Sequence, residues 1–340
     1  MKFNFDATGI GSVPFKDPKT ACRAIFDNFP NIPFWPQLPK RTFLEHMYVQ
    51  YSEGIPGIVI NDSDRTIHMD SRRAFSEIEC FYEKYLAGDL DYFAISKERA
   101  SGFYEFLDSF RALARNPAFV KGHVTGPVSF ALSITDESKQ AVIYNKDLFE
   151  AITKSVAMKA RWQARKLKGL AEGVIIFIDE PYLVSIGSSY VNIDAGLAAA
   201  AIEEVALAIR DEGALAGVHC CGNTDWPLLL KRGIDILNFD AYNFSKELLL
   251  YTDDIKAFTA GGGTIAWGVV PSSEGIDGED LSALAGRIDS VFAAMAAKGI
   301  AKDSVSSVIT PSCGLGTLDE NHARKILEMT SNLSRKLTGR

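Results

Sequence analysis

Val174-Ile-Ile-Phe-Ile-Asp179, followed at once by Glu180-Pro181, decides how the rest of the chain is read. The run is apolar throughout and does not alternate with polar residues. A strand buried on both faces reads that way, and parallel strands are the ones covered on both sides. It stops at two carboxylates and a proline, so its polar groups collect at one end. On either side, 146–170 and 195–211 carry apolar residues at three- and four-residue steps, the spacing of amphipathic helices. A strand between helices is the repeating unit of a parallel α/β sheet.

Runs of the same kind recur about eight times, the number a closed barrel needs. They are 7–11, 32–37, 120–126, 174–179, 216–221, 236–240, 264–270 and 307–312. The stretch 281–298 is rich in alanine and stops at Gly299, a helix-stop signal, and 320–337 reads as a closing helix. The predicted fold is α/β, a (β/α)8 TIM barrel forming one catalytic domain over 1–340. Residues 40–118 break the alternation, because that gap is too long for one helix. Helices over 41–53, 72–87 and 97–114 and a hairpin around 57–72 are expected there. Such an insertion after the second strand would lie at the C-terminal face, where barrel enzymes build their sites.

Composition narrows the function. The chain has 340 residues, is 47% hydrophobic and 23% charged, and carries a net charge of -7. No basic run or aromatic-basic stripe is present, so no nucleic-acid partner is expected. No apolar stretch has the length of a membrane span, and the first residues lack a signal-peptide core, so a cytoplasmic protein with no membrane association is expected. The five cysteines are Cys22, Cys80, Cys220, Cys221 and Cys313. An odd number in such a chain argues against a disulfide framework. Cys22 and Cys80 fall in predicted helices and read as buried small hydrophobes.

The chemistry gathers where the runs end: Ile10-Gly11-Ser12, Thr125-Gly126-Pro127, Asp179-Glu180-Pro181, His219-Cys220-Cys221, Asp240-Ala241-Tyr242 and Ser312-Cys313-Gly314. In a barrel these converge on one rim. Residues i and i+2 of a strand point the same way, so His219 and Cys221 can share one metal while Cys220 faces away. Cys313 ends the last run, and Asp240 offers an oxygen. Imidazole, two thiolates and a carboxylate suit tetrahedral zinc. A His-x-Cys alone is weak, since buried cysteines and core histidines are common. Convergence on the rim is what gives it weight. No Cys-x-x-Cys is present, and ligands drawn from distant strand ends favour an open catalytic site over a structural one. Two thiolates cancel the ion's charge, which makes it poor at activating water. Such an ion is suited to holding a thiol deprotonated and nucleophilic toward an electrophilic methyl group.

Together, Ile10-Gly-Ser-x-Pro14, Thr125-Gly-Pro-Val128, Asp179-Glu-Pro181, His219-x-Cys221 and Cys313-Gly-Leu315 resemble the catalytic half of cobalamin-independent methionine synthase. That family sits in a superfamily with uroporphyrinogen decarboxylase and methylcobamide:coenzyme M methyltransferases. The resemblance runs from about residue 7 to 335. It implies zinc on His219, Cys221 and Cys313, with Asp240 nearest to the family's glutamate ligand. It implies Ile10, Gly11 and Ser12 on the α-carboxylate of homocysteine and Asp179 on the α-ammonium, with Glu180 beside it in the substrate site. Asp179 and Asp240 are the carboxylates expected to take part in the reaction.

The departures point to a different methyl donor. The family has two such barrels and this chain has one. It also lacks a Gly-Glu-Pro-Glu-Arg-Asn-Asp stretch, having Phe34-Trp-Pro-Gln-Leu-Pro39 and the region of Glu53 instead. A methylcorrinoid such as methylcobalamin, free or on a corrinoid partner protein, is therefore expected ahead of methyltetrahydrofolate. Trp35, Tyr242 and Trp267 are expected near the rim, where they would stack on a flat donor or simply pack. The expected function is zinc-dependent methylation of a small thiol, homocysteine first. The alternatives are a coenzyme M-type thiol methyltransferase, a metal-free uroporphyrinogen decarboxylase-like lyase, and a non-catalytic barrel stiffened by zinc. The lyase would leave the cysteines unexplained and would need arginines that the early rim motifs lack.

Overall fold

In the computed structural model, which describes residues 2–112, 116–187 and 192–339, seven parallel strands form one curled sheet. They are β1 (Asn4–Ala7), β4 (Phe119–Thr125), β5 (Gly173–Asp179), β6 (Leu215–Cys220), β7 (Ile236–Phe239), β8 (Thr264–Val270) and β9 (Ser306–Pro311). The order is β1-β9-β8-β7-β6-β5-β4. The remaining two strands, β2 (Ile58–Asn61) and β3 (Thr66–Met69), form a separate antiparallel hairpin.

The eighth place in the sheet is filled without a regular strand. Along 31–37, Phe119 N donates to Asn31 O at 3.1 Å, Lys121 N to Pro33 O at 2.9 Å, and Trp35 N to Lys121 O at 3.2 Å, all on the β4 side. On the other side Gln37 N donates to Gly11 O at 3.0 Å and Val13 N to Gln37 O at 2.9 Å. This segment joins both edges of the sheet, giving a TIM-barrel-like arrangement. Pro33 and Pro36 have no N–H to give to a ladder, which is why the run expected as a strand at 32–37 has only isolated bridges.

Local pattern accounts for the rest. Helix Ala195–Asp211 is capped by the Asp194 side chain, and helix Leu281–Ala297 is followed by Gly299 at a φ of 80°, which favours glycine. Between the closing segment and β4 lie two short helical turns, Phe43–Glu45 and Met47–Gln50, the hairpin, and helices Ser71–Leu86 and Ser101–Ala112. The helix expected over 41–53 is thus two short turns. Cys22 is buried as expected, but Cys80 is exposed because it lies on the outer face of its helix. Among the described residues no helix is long and apolar enough to cross a membrane.

The barrel's inner face explains where the site lies. Phe119, Ile175, Phe177, Ile236, Ala266 and Val308 pack with Phe3 and Ile32 into a cluster separate from the main core. Apart from Ala266, each such side chain contributes about 1.5–3 kcal/mol on burial. Further along the same strands, at even spacing, come Lys121 and His123 two and four residues after Phe119, Asp179 two after Phe177, and Asn238 two after Ile236. The same strand face thus passes from an apolar plug to polar groups toward the C-terminal ends.

Candidate metal centre

His219 is on β6, Cys221 lies just past its end, and Cys313 lies two residues past β9. One ligand atom from each falls within 4.8 Å of the others. His219 is 3% exposed and both cysteines are half-buried, so the group opens on one side. Cys220 is buried, outside the group, with its thiol on Gly222 O.

The orientation of the imidazole is fixed. Ala266 O can only accept, and Asn238 Nδ2 donates to it at 2.9 Å and to Thr310 Oγ1 at 2.8 Å. Asn238 Oδ1 is thereby turned to His219 Nδ1 at 2.5 Å. Nδ1 must carry the proton, which leaves the Nε2 lone pair toward the sulfurs. Nε2 is shut away from solvent and has no hydrogen-bond partner among the described residues. A buried imidazole lone pair beside two thiols is a donor set that a zinc ion satisfies, and three protein ligands leave a fourth position open. Without an ion, Cys221 is drawn well below the usual thiol range by the neighbouring Cys313 and His219. Cys313 is pushed up by sharing its proton with Cys221 and by burial. Burial alone would lower His219, yet Cys221 and Asp179 raise it on balance.

The loops that carry these ligands are pinned. Ser272 Oγ donates to Cys313 O at 2.8 Å and accepts from Cys313 N at 2.9 Å. Ser12 Oγ accepts from Gly316 N at 3.2 Å, and a Cβ on Gly314 would sit 2.3 Å from that hydroxyl. Ser12 therefore holds the Cys313 loop with its side chain. The N–H groups of Ile10, Gly11 and Ser12 have no acceptor among the described residues.

The carboxylates divide into three roles. Asp179 keeps Oδ1 buried and without a partner among the described residues, and burial raises it against the pull of His219 and Lys121. Glu180 has a different place from the one expected at the substrate. Its carboxylate accepts from Val128 N at 3.0 Å, Ser129 N at 2.7 Å and Ser129 Oγ at 2.6 Å, at the start of helix Pro127–Ser133. The strand parity that sends Asp179 inward sends Glu180 outward. Asp240 lies outside the ligand group. It caps helix Ala241–Leu248, its oxygens accepting from Asn243 N at 3.0 Å and Asn243 Nδ2 at 2.6 Å. To reach a metal it would have to give up that cap.

Lys121 and Asn238 escaped the sequence reading, and Ser272, at the end of the run 264–270, was given no role by it. Lys121 is fully buried, donates to Ile10 O and lies 4.1 Å over the Phe177 ring. A lysine inside the apolar run 120–126 was the available signal. Trp35 and Trp267 are completely buried, with indole N–H groups on Gln163 Oε1 and Ser307 Oγ. Neither can offer its face to a flat donor. Tyr242 is engaged by Glu279 and lies under Arg287. Glu53 accepts from Ser96 N, in the region between the closing segment and β4.

The chain matches no protein-family model and no curated protein. Among solved structures it is similar to a B12-independent methionine synthase from Shewanella sp. W3-18-1, solved in complex with selenomethionine. The identity is 19% and the TM-score 0.47, over 69% of this chain and 67% of that one.

Proposed function

We propose that this chain is a zinc-dependent S-methyltransferase for a small amino-acid thiol, homocysteine first. The observation that carries the reading is the convergence of His219, Cys221 and Cys313 around an unpartnered Nε2. With its charge cancelled by two thiolates, a zinc ion there would hold a substrate thiol deprotonated yet nucleophilic, rather than sharpen water.

The chain's own residues supply the rest. The unpaired Asp179 oxygen is suited to a substrate ammonium, and the free N–H groups of Ile10, Gly11 and Ser12 to a carboxylate. Lys121, fully buried, steadies this segment by donating to Ile10 O, and burial draws its ammonium down to about 7. Glu180 acts by holding the Thr125-Gly-Pro turn against the end of β5, which sets the position of Asp179. Asp240 stays on its helix, leaving the fourth metal position for the thiol. We take 1–340 as one barrel unit and 40–118 as an insertion walling the site. Its Met47 O accepts from Thr125 Oγ1 at 2.8 Å, and its Tyr51 hydroxyl donates to His123 O at 2.7 Å, both at the end of β4.

The test is a matrix of methylcobalamin and methyltetrahydrofolate against homocysteine and coenzyme M, using protein loaded with one equivalent of zinc. Donor loss is followed by absorbance and the S-methyl product by mass spectrometry. Methylation of homocysteine by at least one donor, abolished by chelation, is the expected result. Activity of the stripped protein equal to that of the loaded one would reject the reading, as would no methylated thiol from either donor.

A further inference from the structure

Three hydrogen bonds beside the cluster belong to one residue, Asn238. Asn238 is fully buried on β7, beside His219 in the parallel register. Its amide has two donors and one acceptor oxygen, and all three directions are used. The donors go to Ala266 O and Thr310 Oγ1, on β8 and β9, and the oxygen to His219 Nδ1. The three strands that follow β6 thus combine to orient one imidazole. If the amide were flipped, its nitrogen would face a protonated ring nitrogen and its oxygen would face a carbonyl, so the flip is disfavoured at both ends.

We infer that Asn238 is a positioning residue for the metal centre, holding the His219 proton on Nδ1 so that Nε2 is presented to the ion. The inference deepens the zinc reading and rests on it for its affinity readout alone. An imidazole free to rotate or to move its proton would spend part of its time with an N–H aimed at the sulfurs. An acceptor on Nδ1 removes those states and makes the ring a better donor. Outer hydrogen bonds of this kind change metal affinity by about 10–100-fold. The chain's other polar anchors near the cluster act on backbone: Ser272 holds the Cys313 peptide and Ser12 the loop after it. Among the described residues outside the cluster, Asn238 is the one whose side chain hydrogen-bonds a ligand side chain.

The experiment compares Asn238→Leu, which keeps the size and loses the acceptor, with Asn238→Asp, whose neutral, buried carboxyl keeps an acceptor for His219 and an O–H for Ala266 O. Zinc affinity is measured by competition with a chromogenic chelator. The His219 ring proton is located by nitrogen-15 NMR in metal-free and zinc-loaded wild-type protein. We expect Asn238→Leu to bind zinc about 10–100-fold more weakly and Asn238→Asp to stay within about threefold of wild type. In both wild-type forms a downfield, slowly exchanging proton should sit on Nδ1. Equal losses in the two variants would assign the effect to packing and overturn the inference. So would wild-type affinity in Asn238→Leu, or an Nδ1 without a proton. If wild-type protein binds no zinc, the zinc reading fails, and the NMR result still decides the role of Asn238.

Discussion

Replacing Gly126 by alanine puts a methyl group where the Glu180 carboxylate lies. The added Cβ would sit 2.2 Å from both Cδ and Oε1 of Glu180, more than an ångström inside ordinary contact, which begins at 3.4 Å. Backbone strain is not the issue, because Gly126 has a φ of -69° that any residue adopts. The carboxylate must move, and it is held by three hydrogen bonds of 2.6–3.0 Å. A shift of that size takes at least one of them beyond hydrogen-bonding range. Burial pushes Glu180 up to about 7, so the bonds lie between neutral and charged in strength, about 1–3 kcal/mol each. Overpacking adds about 1–3 kcal/mol. The expected loss is about 2–6 kcal/mol, a large part of a typical stability of about 5–15 kcal/mol. Urea unfolding followed by tryptophan fluorescence measures it. The decisive comparison is Gly126→Ala made in a Glu180→Ala background, where the obstacle is gone and the further loss should fall below about 0.5 kcal/mol. The same penalty in both backgrounds, or a Gly126→Ala midpoint equal to wild type, would refute the reasoning.

Cys221→Ser and Cys313→Ser should each lose most of the zinc seen in wild type by elemental analysis, while Cys220→Ser keeps a full equivalent; a full equivalent in either of the first two would remove that residue from the ligand set. Asp179→Asn should raise the KM for the thiol acceptor about 10–100-fold with zinc content unchanged, as losing a charge-assisted bond of about 1.5–3 kcal/mol requires; an unchanged KM would reject the ammonium role. His322, on helix Glu320–Thr338, is raised by Asp319 and Asp277, which hold its two ring nitrogens. Its stabilising effect is therefore full below the unfolded value of about 6.5 and fades as pH rises through the higher folded value. The melting-temperature gap between wild type and His322→Asn should accordingly be wider at pH 5.5 than at pH 8.5; a gap that widens with pH would contradict the pairing.

The legible part of this protein was the part set by local periodicity. Helix 195–211 and strand 264–270 fall where the spacing put them, because a buried strand or an amphipathic helix is written into consecutive residues. The candidate metal cluster was legible for a related reason. His219 and Cys221 share a strand face, and Cys313 ends a run that must finish on the same rim. The capping role of Asp240 was also local, an aspartate opening a helix and bonding three residues on, but its acidic character at a strand end drew a metal reading instead.

What the chain order alone could not fix were the partners reached across space. Prolines at 33 and 36 weaken a strand pattern, and only the edges of β4 and β1 on either side reveal that 31–37 completes the sheet. Glu180 looks like a substrate carboxylate until helix Pro127–Ser133 brings its N–H groups to it. Asn238 is unremarked in sequence and becomes the arbiter of an imidazole once β8 and β9 lie beside it. The sequence determined which face of each strand bears polar chemistry, since side-chain direction alternates residue by residue. The tertiary structure decided which of those groups are used up by neighbours and which stay free, since a hydrogen bond depends on distances between segments that only packing brings together.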